Sequence, residues 1–155
     1  MDLSTQEDVE APIAQVFGAL SDFEVVERTA TRRGVDVVRR GGAGGAELGM
    51  GWDISFQLRG KDRNATMELV GYEPSTLIAI EGDGGGITGR FDIELIELSP
   101  SRTRIVVRTT LGAKTLPGRL LLQSMKLARG RIAQKYAQRI SEYVELIESK
   151  LVNMA

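Results

Sequence analysis

Apolar positions along the chain change their period twice. Ile13, Val16, Phe17 and Leu20 recur at three- and four-residue spacing, one face of a helix. Pro12 suits the first turn of that helix, where its missing N–H costs nothing. Ser21-Asp22 ends it and caps a second, short helix carrying Phe23, Val26 and Ala30, which Gly34 closes. From Val35 the period becomes two. Val35–Arg39 reads as a short strand, the glycine loop Gly41–Gly45 follows, and Trp52, Ile54, Phe56 and Leu58 then alternate with Asp53, Ser55 and Gln57. A polar turn at Arg59–Arg63 leads to Ala65, Met67 and Leu69, and Pro74-Ser75 turns the chain into a strand at Leu77–Glu81. After a turn at Gly82–Gly86 come Phe91, Ile93 and Leu95, then the tight turn Ser99–Arg102 and the β-branched run Thr103–Leu111. Turns this short predict an antiparallel meander.

Residues 2–10 form a candidate first strand, weak on propensity because four of them are acidic. Past Pro117-Gly118 the period returns to helical: Leu121, Met125, Ala128, Ile132, Tyr136, Ile140, Val144, Ile147 and Leu151 predict one helix to the end of the chain. Its roughly 35 residues would reach about 50 Å, longer than a small domain is wide, so it must overhang, bend or meet a partner. Gly130 is its expected weak point. The pattern as a whole predicts an α+β fold. An antiparallel sheet of six to seven strands is expected beside a long C-terminal helix, with two short helices after strand 1 and residues 1–155 in one domain.

Composition narrows the chemistry. A chain of 155 residues buries roughly 70% of its unfolded surface and needs no staple. There is no cysteine, which removes disulfides and thiolate metal sites. There is no histidine either, which removes Ser-His-Asp and Cys-His arrangements, histidine metal sites and histidine general bases. Neither a cofactor nor a metal site is expected, and no catalytic residue is assigned. A net charge of −1 argues against nucleic acid as a partner. The acidic N-terminus Met1–Asp8 has no signal-peptide pattern and no apolar run spans a bilayer, so the expected location is the cytoplasm.

The segment Val9-Glu10-Ala11-Pro12-Ile13-Ala14-Gln15-Val16-Phe17-Gly18-Ala19-Leu20-Ser21-Asp22 resembles the opening of the START-like, or SRPBCC, superfamily of polyketide cyclase-like proteins. The order of elements is similar over nearly the whole chain. The resemblance implies a helix-grip fold with a cavity between the concave sheet face and the C-terminal helix. It further implies a START-like domain that binds or carries a small apolar or amphipathic molecule, lipid-like or aromatic. A few members of that superfamily perform cyclisation or dehydration in the cavity, so a cyclase- or dehydratase-like enzyme is the alternative.

Parity leads to the same place independently. Trp52, Ile54, Phe56, Met67, Leu69, Phe91, Ile93, Ile105 and Val107 share one sheet face, and Phe17, Leu20, Phe23, Met125, Ile132 and Tyr136 are placed to face them. These residues other than Ile105, together with Thr109, are the candidate ligand contacts, unless they pack as a solid core. Tyr136 is the polar tip on the inner stripe, and its hydroxyl either orients a ligand or bonds to a backbone carbonyl. Parity sends Asp53, Glu68, Asp92 and Glu94 to the opposite, solvated face. Gly84, Gly86 and Gly89 match a dinucleotide fingerprint, but they lead into the strand-like Arg90–Ile93 and read as a hairpin loop. The Gly41–Gly45 loop would gate a cavity if it lay at the mouth.

Bases precede acids along the C-terminal helix: Lys114, Arg119, Lys126, Arg129, Arg131, Lys135 and Arg139 come before Glu142, Glu145 and Glu148. That order opposes the helix dipole. Either the bases form an ordinary solvated face, or Arg119, Lys126 and Arg129 dock on an anionic membrane surface or an acidic partner. Monomer and homodimer both fit an overlong helix.

Overall fold

The structure, a computed structural model, describes residues 1–154. Strand β1 (Asp2–Val9) leads into helices α1 (Ile13–Leu20) and α2 (Phe23–Arg32). Strands β2 (Asp36–Arg40), β3 (Gly51–Leu58), β4 (Lys61–Glu73), β5 (Leu77–Gly84), β6 (Ile87–Ser99) and β7 (Arg102–Ala113) follow, then helices α3 (Leu116–Leu127) and α4 (Arg129–Met154). The strands form one antiparallel sheet in the order β1-β7-β6-β5-β4-β3-β2. The curved sheet grips the C-terminal helix, an α+β helix-grip fold.

Strand β1 pairs with β7 along its whole length despite its acids. Asp8 lies opposite Arg104 and accepts from its Nε at 2.8 Å and its Nη2 at 3.2 Å. Those bonds hold the Asp8 carboxyl below its ordinary value against the opposing effect of desolvation. Cross-strand charge pairing overrides propensity here. Leu3 and Val9, of opposite parity to Asp8, are buried.

Two turns are tighter than their sequences suggest. The β3–β4 hairpin turns at Arg59-Gly60 alone, both with positive φ, and Lys61–Arg63 belong to β4. Positive φ at both positions gives a hairpin twist that matches the flanking strands. The β5–β6 hairpin likewise turns at Gly85-Gly86 (φ 61° and 80°), which leaves Gly84 in β5 and Gly89 in β6. The glycine fingerprint therefore spans a hairpin and opens no helix.

The C-terminal helix is two helices rather than one. Ala128 leaves helical geometry (φ −103°, ψ 21°) and its N–H bonds to Met125 O, so the break falls before Gly130. The cause is docking in two directions: α3 packs on β6 and β7, whereas α4 packs on β1 and α1. Helix α3 is seated closely. Thr115 caps it through Oγ1, which accepts from Gly118 N at 3.0 Å, and Gly118 lies so near Gly86 that a side chain there would strike the hairpin backbone. The break also alters the charge argument. Lys126 falls in the last turn of α3, where the dipole favours it, while Arg129 and Arg131 still open α4 unfavourably. At 26 residues α4 measures about 39 Å, so the length argument for an overhang weakens.

The core runs between α1, the concave face and the end of α4. Val9, Val16, Phe17, Leu20, Trp52, Leu69, Ile78, Ile105, Val144 and Ile147 are buried there. Each such side chain contributes roughly 1.5–3 kcal/mol of burial. Phe17 stacks obliquely on Tyr72, and Phe23 meets Trp52 edge-on, with ring centroids 5.3 and 5.2 Å apart. The fully buried Thr103 donates to Ala11 O at 2.9 Å and ties β7 to the chain just ahead of α1.

Candidate ligand cavity

The sheet and two helices surround a cavity of about 490 Å³ inside the grip. Strands β5, β6 and β7 form its floor with Ile78, Ile80, Phe91, Ile93, Ile105 and Val107. Their register sets them side by side: Ile80 faces Phe91, Ile78 faces Ile93, and Ile93 faces Val107. Helix α2 forms one wall with Phe23, Val26, Thr29 and Ala30, residues three and four apart on one helix face. Helix α4 forms the other with Ile140, Tyr143, Val144 and Leu146.

Polar groups are few and mostly at the mouth. Glu142 on α4 accepts from Arg33 Nη2 at the end of α2 (3.1 Å) and from Gln138 (3.2 Å), and Arg139 lies 3.7 Å away. Arg33 and Glu142 thus bridge the walls at an exposed position. Thr29 donates its hydroxyl back to Val25 O at 2.9 Å and offers the interior little. Tyr143 is different. Its hydroxyl is buried and has no hydrogen-bond partner among the described residues. Burial, with a smaller contribution from Asp22, pushes its pKa up to about 12. At neutral pH it is a proton donor held in an apolar wall without an acceptor.

The structure divides the sequence-derived ligand set. Leu20, Phe23, Phe91, Ile93 and Val107 line the cavity. Phe17, Trp52 and Leu69 are packed into the core beside it, with Ile54 and Met67 half-buried against that core. Phe56 sits further along β3, opposite Arg63. Met125 on α3 and Ile132 on α4 are half-buried away from the cavity lining, and the residues that α3 buries are Gly118 and Leu122. Tyr136 bonds to a side chain and not to a backbone carbonyl: its hydroxyl and that of Thr109 share a hydrogen bond of 3.0 Å, joining α4 to β7. Burial raises the Tyr136 pKa, and the Thr109 bond offsets part of that. No residue of the Gly41–Gly45 loop borders the cavity, so the loop does not gate it.

Sequence reading missed most of the α2 wall, the polar mouth and Tyr143. The signal was present in part, since Val26 and Ala30 were already assigned to one helix face. For α4 the stripe followed Tyr136, Ile140 and Val144, and Tyr143 lies one position off it.

A larger hollow, about 930 Å³, lies on the outer sheet face. It is lined mainly by charged and threonine side chains that answer one another: Arg40 with Asp53 at 3.2 Å, Arg90 with Glu81 at 3.1 Å, and Lys114 with Asp83. Volume alone would favour it, but a solvated groove of mutually paired charges has no desolvating wall. The inner cavity is the better candidate.

No protein-family model matches the sequence, and no curated protein does. Solved structures do match. A Thermus thermophilus protein, TTHA0849, superposes with a TM-score of 0.69 at 14% identity, covering 97% of this chain and 99% of that one. The Zhui aromatase/cyclase from Streptomyces gives 0.63 at 14% identity, with 97% and 95% covered. A START superfamily protein from Mycobacterium smegmatis gives 0.57 at 15%, with 91% and 97% covered. Identities this low establish architecture and leave chemistry open. The chain has the START-like, SRPBCC helix-grip fold.

Proposed function

We propose that residues 1–155 form one START-like ligand-binding domain, which holds a small apolar or amphipathic molecule between α2, strands β5–β7 and α4. The observation that carries this reading is the cavity of about 490 Å³, apolar along floor and walls and polar only at its mouth and at Tyr143. Its size lies within the range of small-molecule sites. An unpartnered buried hydroxyl costs about 1–3 kcal/mol. A ligand oxygen would recover part of that cost only if the Tyr143 side chain turned its hydroxyl, which now has no accessible surface, toward the cavity. Lipid-like and aromatic molecules bearing one such oxygen are the favoured class.

The structural match to an aromatase/cyclase keeps a catalytic role in view. Tyr136 is engaged by Thr109, so any chemistry would fall to Tyr143, Arg33, Arg139 or Glu142. Tyr143, protonated up to about pH 12, would polarise a carbonyl by donation and would make a poor base.

The test is titration with anilinonaphthalene sulfonate, together with native mass spectrometry of protein purified without denaturation from its own organism. The expected results are saturable binding of the dye and a co-purifying organic molecule. Absence of both would overturn the proposal.

A further inference from the structure

Helix α3 is apolar on both sides: Leu121, Leu122 and Met125 lie on its buried or half-buried side, and a second set of leucines is turned outward. Leu116, Leu120 and Leu127 are 69%, 60% and 92% exposed. At about 100° per residue they fall within an arc of roughly 40°. The opposite side of the helix carries Gly118 and the buried Leu122, which hold α3 against the β5–β6 hairpin and β7. The leucines therefore cannot turn inward without breaking that seat.

Charge around the stripe has one sign. No Asp or Glu occurs between Glu97 and Glu142. Arg119 and Lys126 flank the stripe on the same side, about 60–80° from Leu116. Arg131 and Lys135 follow on α4. None of these four forms an ion pair among the described residues. The bases at the two ends of α3 are engaged elsewhere: Lys114 pairs with Asp83, and Arg129 donates to the Asp2 carbonyl. A leucine stripe bordered by free cations is complementary to a surface with an apolar interior and an anionic skin. We propose that α3 docks this protein on an anionic lipid bilayer, with Leu116, Leu120 and Leu127 entering the headgroup boundary and Arg119 and Lys126 meeting lipid phosphates. The helix lies in the interface. No described helix is long and apolar enough to cross a membrane.

The experiment is co-sedimentation of the full chain with phosphatidylcholine vesicles and with vesicles containing about one third phosphatidylglycerol. Binding is expected only to the second, falling at least about tenfold when salt rises from about 0.05 M to about 0.5 M. Leu120→Ser with Leu127→Ser, and separately Arg119→Glu with Lys126→Glu, should each lower binding about tenfold or more. These positions touch no core, so circular dichroism and dye titration of the cavity should remain as in the wild type. That separates failure of docking from failure of cavity binding. Absence of wild-type binding to anionic vesicles would overturn the proposal, as would either double variant binding like the wild type. So would a stable dimer that the leucine substitutions split, since a second copy would then be what covers the stripe.

Discussion

Helices α1 and α2 are neighbours of similar length joined by two residues, and they do opposite things. Helix α1 places Val16, Phe17 and Leu20 in the core and leans directly on α4. Helix α2 buries only Phe23 and has no comparable contact with α4, which it meets through the exposed Arg33–Glu142 pair. The difference lies in composition. The α1 sequence IAQVFGAL sends three apolar residues into the core, with a hollow of about 490 Å³ left between its outer side and α4, whereas FEVVERTATR presents Val26, Thr29 and Ala30 and falls short of the opposite wall. The cavity is that shortfall. On its other side α2 is fastened: Trp52 Nε1 and Arg39 Nε both donate to Glu27 Oε2, at 2.7 and 2.6 Å, and Phe23 packs on Trp52. One edge of α2 is fixed to the sheet and the other borders empty space.

The comparison breaks most visibly at Phe17. Phe17→Ala should cost about 3–5 kcal/mol in denaturant unfolding, because its ring is enclosed by core and Tyr72. Val26→Ala on α2 should cost less than about 1 kcal/mol, since Val26 is 40% exposed at the cavity edge. Equal losses at the two positions would show that α2 is packed as α1 is.

A filling substitution sharpens the same contrast. Ala30→Phe places a ring in the hollow, so stability should change by no more than about 1 kcal/mol while dye affinity falls about tenfold or more. A loss of several kcal/mol would mean that the space is not available.

Most of this fold was legible in the chain. Alternation at Trp52–Leu58 and Phe91–Leu95 identified the concave face, and the opening helices followed from Pro12, Ser21-Asp22 and Gly34. What escaped depended on contacts distant in sequence. The helix break at Ala128 lies two residues before Gly130, the expected weak point, and its exact place goes with the docking of α3 and α4 on different strands. Strand β1 needed Arg104, 96 residues away, to neutralise Asp8. For the site, periodicity identified which residues face inward but not which of them would touch. Phe17 and Trp52 found aromatic partners and joined the core, while Phe91 and Ile93 were left facing a gap.

Tyr143 offers a smaller effect with a defined sign. Its folded pKa of about 12 lies above the unfolded value of about 10, so the folded state holds the proton more tightly. The resulting stability is fully present below about pH 10 and is lost as pH rises through 12, a change on the order of 1 kcal/mol after screening. Tyr143→Phe should remove that dependence in unfolding curves recorded between pH 9 and about 12. At pH 7 it should raise stability, by up to about 1–3 kcal/mol, because an unpaired buried hydroxyl disappears. A drop of more than about 1 kcal/mol at pH 7 would reveal a hydrogen bond that the hydroxyl makes after all.

The smallest stability effect is expected at the mouth. Arg33 and Glu142 are both exposed, so Arg33→Ala should change stability by about 0–1 kcal/mol. Its consequence should be kinetic. The pair is the one direct ionic link between the end of α2 and α4 among the described residues, and breaking it frees the unfastened edge of the wall. Stopped-flow dye binding should then show faster entry and exit with a smaller change in equilibrium affinity. If instead affinity falls and the rates of entry stay the same, Arg33 contacts the bound molecule and is part of the site rather than its latch.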